Sequence, residues 1–216
     1  RSELIRRGIY KPVSTVLTQM MVNPYDDSFY NPIKKIGRYM TREEADAEEA
    51  KGNYVTEVPG RGWQRIVSAP RPVSIVEIDA IRALLDADQI VICCGGGGIP
   101  VLEQGSHLKG ASAVIEKDLA AGLLAAETDA DVLMIATSVA NVTLNYGTPE
   151  EKPIRHMTVS EAEEYIRQGH FEFASMLPKI EASVSFLKSG RDRKAVITTL
   201  DRILDSVDGR AGTCIE

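Results

Sequence analysis

Short apolar runs alternate with amphipathic stretches along most of this chain. Runs rich in β-branched residues predict strands at 13–21, 90–94, 132–136 and 195–199, with a final edge strand at 213–215. Apolar positions at helical spacing predict helices at 75–87, 116–128, 178–189 and 200–207. A capping box formed by Thr158 and Glu161 predicts one more helix, ending near residue 168. Such alternation of strands and helices is typical of an α/β fold with a mainly parallel sheet covered on both faces.

Residues 22–70 interrupt this alternation with a polar series of short elements. The stretch 23–38 contains Asn-Pro and Asp-Asp turn formers and predicts irregular chain. Thr41 and Glu44 have the spacing of a capping box, which predicts a short acidic helix to about residue 51. Two predicted strands follow, at 54–58 and 64–67. We expect this region to form a small lobe that protrudes from the main body.

The predicted strand at 90–94 runs directly into four glycines, Gly95, Gly96, Gly97 and Gly98. Because glycine has no Cβ, such a run lets the backbone turn sharply and approach a ligand closely. Ligands of open parallel sheets bind beyond the carboxyl ends of the strands, which favours a small anionic ligand at this loop. A tight turn between strand and helix, without any ligand, explains the glycines equally well.

Two lysines stand where predicted helices begin. Lys117 and Asp118 follow the apolar pair at 114–115. Lys179 lies in a first turn, directly after a proline. Because helix N-termini favour negative charge, a lysine there is out of place unless it faces an anion. Phosphoryl transfer needs such cations, together with aimed backbone N–H groups and a carboxylate that holds the lysines. The alternative is that both are solvated surface charges, as we expect for Lys109 on a loop surface.

Composition narrows the classes of function. A net charge of −6 and a pI near 5.2 argue against nucleic-acid binding, which needs a basic face. The sequence has no run of ~18 apolar residues and no visible secretory signal, so no membrane partner is expected. Three cysteines and three scattered histidines predict neither a disulfide framework nor a protein-held metal. Together these features favour a cytoplasmic protein.

Two common nucleotide-binding motifs can be tested directly. No G-x-x-x-x-G-K-[ST] motif is present, which excludes a P-loop kinase. The glycine run lacks a G-x-G-x-x-G helix entry followed by a ribose-binding acid, so it supports a dinucleotide enzyme only weakly. Tyr146 could stack on a nucleotide base at the junction of a strand and a loop, although turn chemistry explains the Gly and Pro beside it.

Six motifs, taken in chain order, resemble the carbamate kinase family of the amino-acid kinase superfamily. The similarity runs from about residue 11 to residue 215, and the motifs are highly specific as a set. They are Asn31-Pro32-Ile33-Lys34-Lys35-Ile36-Gly37, Gly60-Arg61-Gly62-Trp63, Gly96-Gly97-Gly98-Ile99-Pro100-Val101, Ala113-Val114-Ile115-Glu116-Lys117-Asp118-Leu119-Ala120, Gly169-His170-Phe171 and Ser175-Met176-Leu177-Pro178-Lys179.

This resemblance implies a fold and a reaction. The fold would be a three-layer αβα sandwich with a mainly parallel sheet, no P-loop and a small protruding lobe. The reaction would exchange ATP and carbamate with ADP and carbamoyl phosphate, as in arginine metabolism. Mg²⁺ would ride on the nucleotide phosphates rather than in a protein cage. The resemblance also implies a cytoplasmic homodimer, which nothing in the periodicity indicates.

The resemblance further implies roles for individual residues. Lys117 and Lys179 match phosphate-facing lysines of the family, and Asp118 matches the carboxylate that organises them. Lys34 matches a lysine of the protruding lobe that reaches toward the transferred group. The implied nucleotide-binding residues are Thr137, Asn145, Tyr146, Ser175 and Met176, and the implied phosphate loop is Gly95, Gly96, Gly97 and Gly98.

The chain also departs from the family pattern at its start. Family members carry a further N-terminal third, which holds the first glycine-rich phosphate loop and a segment that binds carbamate. We therefore expect an incomplete chain with negligible turnover by itself, because lysines alone cannot position carbamate. In this interpretation residues 1–21 are the remnant of the N-terminal substrate lobe, 22–70 the protruding subdomain and 71–216 the nucleotide-binding domain.

A second departure leaves a competing hypothesis open. The segment 137–142 stands where the family has an Asp-containing turn, and Ser138, Ala140 and Asn141 replace its usual residues. This change motivates the alternative of a diverged member that binds a nucleotide or a carbamoyl metabolite without catalysis. Retention of all four implied catalytic residues favours the phosphotransferase. Acetylglutamate or another small acid as the phosphoryl acceptor fits less well, because 31–37 resembles carbamate kinases in particular.

Overall fold

The structure is a computed structural model that describes all residues, Arg1–Glu216. The helices are α1 (Ser2–Arg6), α2 (Arg42–Ala50), α3 (Ile78–Asp86), α4 (Lys117–Glu127), α5 (Val159–Arg167), α6 (Leu177–Lys188) and α7 (Ile203–Val207). The strands are β1 (Val13–Thr15), β2 (Gln19–Val22), β3 (Lys34–Met40), β4 (Tyr54–Val58), β5 (Gly62–Val67), β6 (Pro72–Ile75), β7 (Ile90–Ile92), β8 (Ile99–Gln104), β9 (His107–Gly110), β10 (Val132–Thr137), β11 (Val142–Leu144), β12 (Lys152–Ile154), β13 (His156–Met157), β14 (Lys194–Thr199) and β15 (Thr213–Ile215). Short 3-10 turns lie at Asp27–Phe29, Gly95–Gly97 and Leu200–Arg202.

The C-terminal sheet is the middle of three layers, in the order β10-β14-β15-β13. β10 and β14 run parallel along their whole length. Successive residues of a strand face opposite sides of the sheet, so Ala195 and Ile197 enter the core beneath α6. On the other face, Ser206 of α7 contacts Met134 of β10, with 3.9 Å between oxygen and sulfur. Helices therefore cover both faces of this sheet, as in an αβα sandwich.

The predicted edge strand at 213–215 is in fact an inner strand. β15 pairs antiparallel with β14 on one side and parallel with β13 on the other. The prediction was wrong because β13 has only two residues, which is too short for any hydrophobic period to show in the sequence.

The N-terminal sheet has the order β6-β2-β8-β9, and β1 pairs separately with β7. Two of these pairings are parallel, β2 with β8 and β1 with β7. The single strand predicted at 13–21 is broken at 16–18, where the Thr18 hydroxyl accepts a hydrogen bond from the Cys94 N–H at 2.9 Å. The break therefore ties the first strands to the start of the glycine loop.

Helix α4 joins the two halves of the molecule. Ala120 belongs to the core of the N-terminal sheet, whereas Ala125 belongs to the core of the C-terminal sheet. Gly122 lets α4 approach α6 closely, because a Cβ at this position would lie 2.9 Å from the carbonyl oxygen of Ala182. The N-terminal ends of α4 and α6 are held together by this packing.

Strands β3, β5 and β4 form a separate antiparallel sheet, against which α2 packs. The Arg42 guanidinium of α2 lies 4.1 Å from the centre of the Trp63 ring in β5. The prediction of irregular chain up to residue 38 was wrong, since β3 begins at Lys34. Gly37, with φ of +73°, and a register shift between Ile36 and Met40 hide the strand's alternation. The proposed unit boundaries at residues 21 and 70 stay a prediction.

Both predicted capping boxes are confirmed. The side chains of Thr41 and Thr158 each accept from a backbone N–H three residues on, and Glu44 and Glu161 reach back to the threonine N–H. None of the helices has the length and apolarity that crossing a bilayer requires.

Acid is expected to weaken the lobe through Glu44. The Arg38 guanidinium, and then the Thr41 N–H, hold the pKa of Glu44 at about 2, against an ordinary value of 4.5. A folded-state pKa below the unfolded value contributes stability above pH 4.5 that is lost as the pH falls toward 2. Glu44→Gln should therefore lower the urea midpoint near neutral pH, and its difference from the parent should vanish across that acid range.

The only tryptophan of the chain, Trp63, lies in the lobe, so its fluorescence reports on this unit. Glu43→Gln is the matched control, because Glu43 is on the same helical turn without an ion pair. An identical acid dependence in the parent and in Glu44→Gln would contradict the assigned role.

Candidate functional site

The four glycines form a tight loop between β7 and β8. Gly96, Gly97 and Gly98 have φ of +71°, +99° and +82°, a region in which a side chain is strained. A Cβ on Gly97 would lie 2.4 Å from the carbonyl oxygen of Ile115. One on Gly98 would lie 2.6 Å from Cγ of Met20. Close packing thus requires glycine at both positions, and it places the loop against the turn that begins α4.

The strand before this loop ends earlier than predicted. β7 ends at Ile92, and Cys94 already has a left-handed φ of +55°. Burial raises the pKa of the Cys94 thiol to about 12, and it also raises the pKa of Cys93. Both thiols are therefore neutral and pack as small apolar side chains beneath the loop.

The packing of α4 on α6 brings the predicted lysine and aspartate together. Nζ of Lys179 donates to Oδ2 of Asp118 at 2.7 Å, and these side chains are only 17% and 15% exposed. Lys117 precedes Asp118 as the first residue of α4 and is exposed. Its ammonium has no ion-pair or hydrogen-bond partner in the protein. Lys117 and the Lys179–Asp118 pair thus lie at the start of α4, beside the glycine loop, and we refer to these three residues as the lysine cluster.

The two helices that meet here begin without side-chain caps. The side chains of Glu116 before α4 and Met176 before α6 make no cap hydrogen bond, which is also true of α1, α3 and α7, whereas α2 and α5 begin with capping boxes. The first N–H groups of a helix need acceptors, and they favour negative charge. The first N–H groups of α4 have no acceptor, whereas the Leu177 N–H of α6 donates to the Glu172 carbonyl oxygen at 3.0 Å. The start of α4, which carries the Lys117 ammonium, can therefore hold an anion.

The lobe reaches this place through Lys34. Its ammonium forms an ion pair with Glu116, the residue before Lys117, and both side chains are mostly buried. Ser68, at the end of the lobe, accepts a backbone hydrogen bond from Val114 at 3.0 Å. A groove of about 680 Å³ lies between the lobe and α6, with Lys34 and Glu116 in its wall.

A second cavity, of about 340 Å³, lies where β10 ends. Four of the five residues implied for nucleotide binding line it, and so does one of the lysines: Thr137, Tyr146, Ser175, Met176 and Lys179. Ser138 and Asn141 also line this cavity. Lys179 lines this cavity and pairs with Asp118, so it links the cavity to the start of α4.

The fifth implied residue, Asn145, supports the cavity from outside. Its left-handed φ of +52° turns the chain between β11 and β12, and its Oδ1 lies 2.9 Å from Nδ1 of His170. His170 lines the cavity, as does Glu172. Neither His170 nor Glu172 was predicted as a site residue. The Gly169-His170-Phe171 motif was the available signal for His170, whereas nothing local marks Glu172.

Glu172 brings a negative charge to this cavity. A hydrogen bond from the Ser175 side chain, then backbone N–H groups of Ala174 and Ser175, lower the pKa of Glu172 despite partial burial. A carboxylate that is ionised and fixed in this way accepts hydrogen bonds from hydroxyl or amino groups of a ligand. The cavity therefore combines the ring of Tyr146, the Glu172 carboxylate and the Lys179 ammonium.

Asp118→Asn is expected to lower the free energy of unfolding by about 2 kcal/mol, because it leaves the mostly buried Lys179 ammonium without a counterion. The matched control is Asp79→Asn, which removes an exposed ion pair with Arg82 at 3.5 Å. This control should cost less than ~0.5 kcal/mol. Urea denaturation measures both variants, and equal effects would show that the Asp118 pair is no better than a surface pair.

The sequence profile described as amino acid kinase family matches residues 37–199. The chain belongs to the amino acid kinase family. It is 46% identical over 215 residues to the carbamate kinase-like protein YqeA of Escherichia coli, covering 100% of this chain and 69% of that protein. It is 48% identical to carbamate kinase 2 of Enterococcus faecalis, covering 99% and 69%. The particular branch is thus the carbamate kinase family.

Solved structures agree with this placement. The carbamate kinase of Giardia lamblia bound to AMP-PNP superimposes with a TM-score of 0.90 and 38% identity, covering 99% of this chain and 68% of that one. The three-layer α/β fold expected from the sequence is therefore confirmed.

Proposed function

We propose that this chain carries the nucleotide side of a carbamate kinase-like phosphotransferase, which exchanges ATP and carbamate with ADP and carbamoyl phosphate. The single observation that carries the proposal is the unpaired Lys117 ammonium next to the Lys179–Asp118 pair, at the uncapped N-terminus of α4. Similarity to carbamate kinases over the whole chain supports the same reaction.

The geometry suggests a division of labour. The cavity lined by Tyr146 and Met176 would take the base and ribose of the nucleotide, and the phosphates would extend past Lys179 toward Lys117. Asp118 would keep the Lys179 ammonium fixed rather than touch the phosphates. Lys34, which reaches the same turn from the lobe, would face the transferred phosphoryl group. These cations stabilise negative charge as it moves between acceptor and donor oxygens.

Mg²⁺ fits this site as a companion of the nucleotide. Both carboxylates beside Lys117 are already engaged, Asp118 by Lys179 and Glu116 by Lys34. The phosphate oxygens would therefore supply most of its ligands, which is how Mg²⁺ is often held. The ion would neutralise part of the charge that the lysines face.

The test is formation of ATP from ADP and carbamoyl phosphate. The assay should be run on the 216-residue chain and on the product of any longer reading frame that contains it. Measurable ATP formation by the longer product, with little or none from the 216 residues, is the expected result. Binding of AMP-PNP to the 216 residues, measured by calorimetry, tests the nucleotide side by itself. Absence of both activities would overturn the proposal, and brisk turnover by the 216-residue chain would show that it carries more than the nucleotide side.

A diverged, non-catalytic member is the second candidate. Ser138 and Asn141 line the nucleotide cavity, in the segment that departs from the family pattern. Nucleotide binding by a longer product that forms no ATP would favour this candidate. A homodimer, a cytoplasmic location and a place in arginine metabolism are part of the main proposal, and sedimentation of the active form would test the dimer.

A further inference from the structure

A third cavity lies on the face of the C-terminal sheet that α7 covers, opposite α6. Its volume is about 130 Å³. Four basic side chains line it and no acidic side chain does: Arg155, Lys194, Arg202 and Arg210. This concentration of positive charge occurs in a chain with a net charge of −6. It is therefore not a consequence of overall composition.

The protein neutralises only half of these cations. Arg202 and Arg210 share Asp205, at 3.5 and 3.4 Å, and Arg210 also pairs with Asp208 at 2.8 Å. Arg155 and Lys194 have no ion-pair partner. Burial raises the pKa of the Cys214 thiol at the cavity wall, so this group is neutral and supplies no counter-charge. All four residues are exposed, so solvent screens their mutual repulsion, and the two unpaired cations are available to an anion.

Part of the remaining wall is the loop 209–212. Gly209 and Gly212 have φ of +73° and +82°, and a Cβ on Gly212 would lie 2.8 Å from the carbonyl oxygen of Ile197. The Asn141 amide donates to the Gly212 carbonyl oxygen at 2.6 Å and so fixes the loop. The volume corresponds to roughly four water molecules, which suits a phosphate-sized anion.

We propose that this cavity binds a small, multiply charged oxyanion of the phosphate class, with Arg155 and Lys194 as its main ligands. Guanidinium and ammonium donors of this kind form the strongest hydrogen bonds that phosphate oxygens receive in proteins. The site is separate from the lysine cluster at the start of α4. Asn141 lines both this cavity and the proposed nucleotide cavity.

The probe is inorganic phosphate, titrated into the 216-residue chain at constant ionic strength and followed by calorimetry and thermal unfolding. The parent should bind it saturably and unfold at a higher temperature. Arg155→Gln/Lys194→Gln should bind phosphate at least tenfold more weakly, since two charged ligands are lost. The matched control is Lys152→Gln/Arg191→Gln, which removes the same charge from exposed positions outside the cavity and should bind like the parent.

The Lys117→Gln variant separates this site from the nucleotide side. Phosphate affinity that survives Lys117→Gln and falls in the cavity variant supports the proposal. Affinity that falls with Lys117→Gln alone overturns it, as does equal weakening in the cavity variant and its charge-matched control. Should the double variant not fold, the exposed single variants Arg155→Gln and Lys194→Gln must each weaken binding severalfold. No saturable binding by the parent at millimolar phosphate would also overturn it.

Discussion

Lys117→Ala is expected to slow phosphoryl transfer by a factor of roughly 100 to 1,000, the usual cost of removing one donor aimed at a transition-state charge. The Lys117 ammonium is exposed and makes no ion pair, so the folded protein gains no interaction energy from it. Its removal should therefore leave the urea midpoint unchanged. A large loss of rate without any loss of stability is the mark of a group that acts on a ligand.

Two measurements separate these effects. ATP formation from ADP and carbamoyl phosphate gives the rate, in whichever form of the protein is active, and calorimetry with AMP-PNP gives nucleotide affinity in the 216-residue chain. Affinity for AMP-PNP should fall about tenfold, because one charge-assisted hydrogen bond to phosphate is lost.

Lys109→Ala is the matched control for Lys117→Ala. Lys109 is also exposed and without an ion pair, although the structure places it on the hairpin strand β9 rather than on a loop. Rate and affinity should stay within about twofold of the parent, since surface substitutions away from special features change little. Comparable losses in both variants would show that Lys117 is an ordinary surface lysine.

Features set by neighbours in sequence were predictable. The capping boxes at Thr41 and Thr158 locate two helix starts correctly, because the hydrogen bonds that define them join residues three apart. The glycine loop and the lysines at helix starts were also predictable, since each is defined by a local mismatch between residue type and position.

Features set by distant partners were not predictable from the chain. The hairpin of β8 and β9 went unpredicted, because every residue of β9 is exposed and no alternation marks it. The pairing of Lys179 with Asp118 was expected only from the family resemblance, because it depends on the crossing of α4 and α6, which Gly122 permits through contact with Ala182. Glu172 likewise enters the proposed nucleotide cavity only through the tertiary fold.

Gly97→Ala should lower the free energy of unfolding by about 4 kcal/mol, from backbone strain and overpacking together. The new Cβ would lie 2.4 Å from the carbonyl oxygen of Ile115, and the φ of +99° is unfavourable for any side chain. Ile115 is fully buried, so the backbone cannot move aside without disturbing the core. Any movement of the Ile115 backbone would also displace the start of α4, which carries Lys117.

Two neighbouring glycines divide this effect into its causes. Gly95 has an ordinary φ and open space around its Cβ position, so Gly95→Ala should change stability by less than ~0.5 kcal/mol. Gly96 has a φ of +71° and the same open space, so Gly96→Ala should cost the backbone strain alone, about 1 kcal/mol. Measured by urea denaturation, the loss of free energy of unfolding should increase from Gly95→Ala to Gly96→Ala to Gly97→Ala. Equal costs at 96 and 97 would mean that contact with Ile115 does not hold the loop, and the loop would then not fix the position of Lys117.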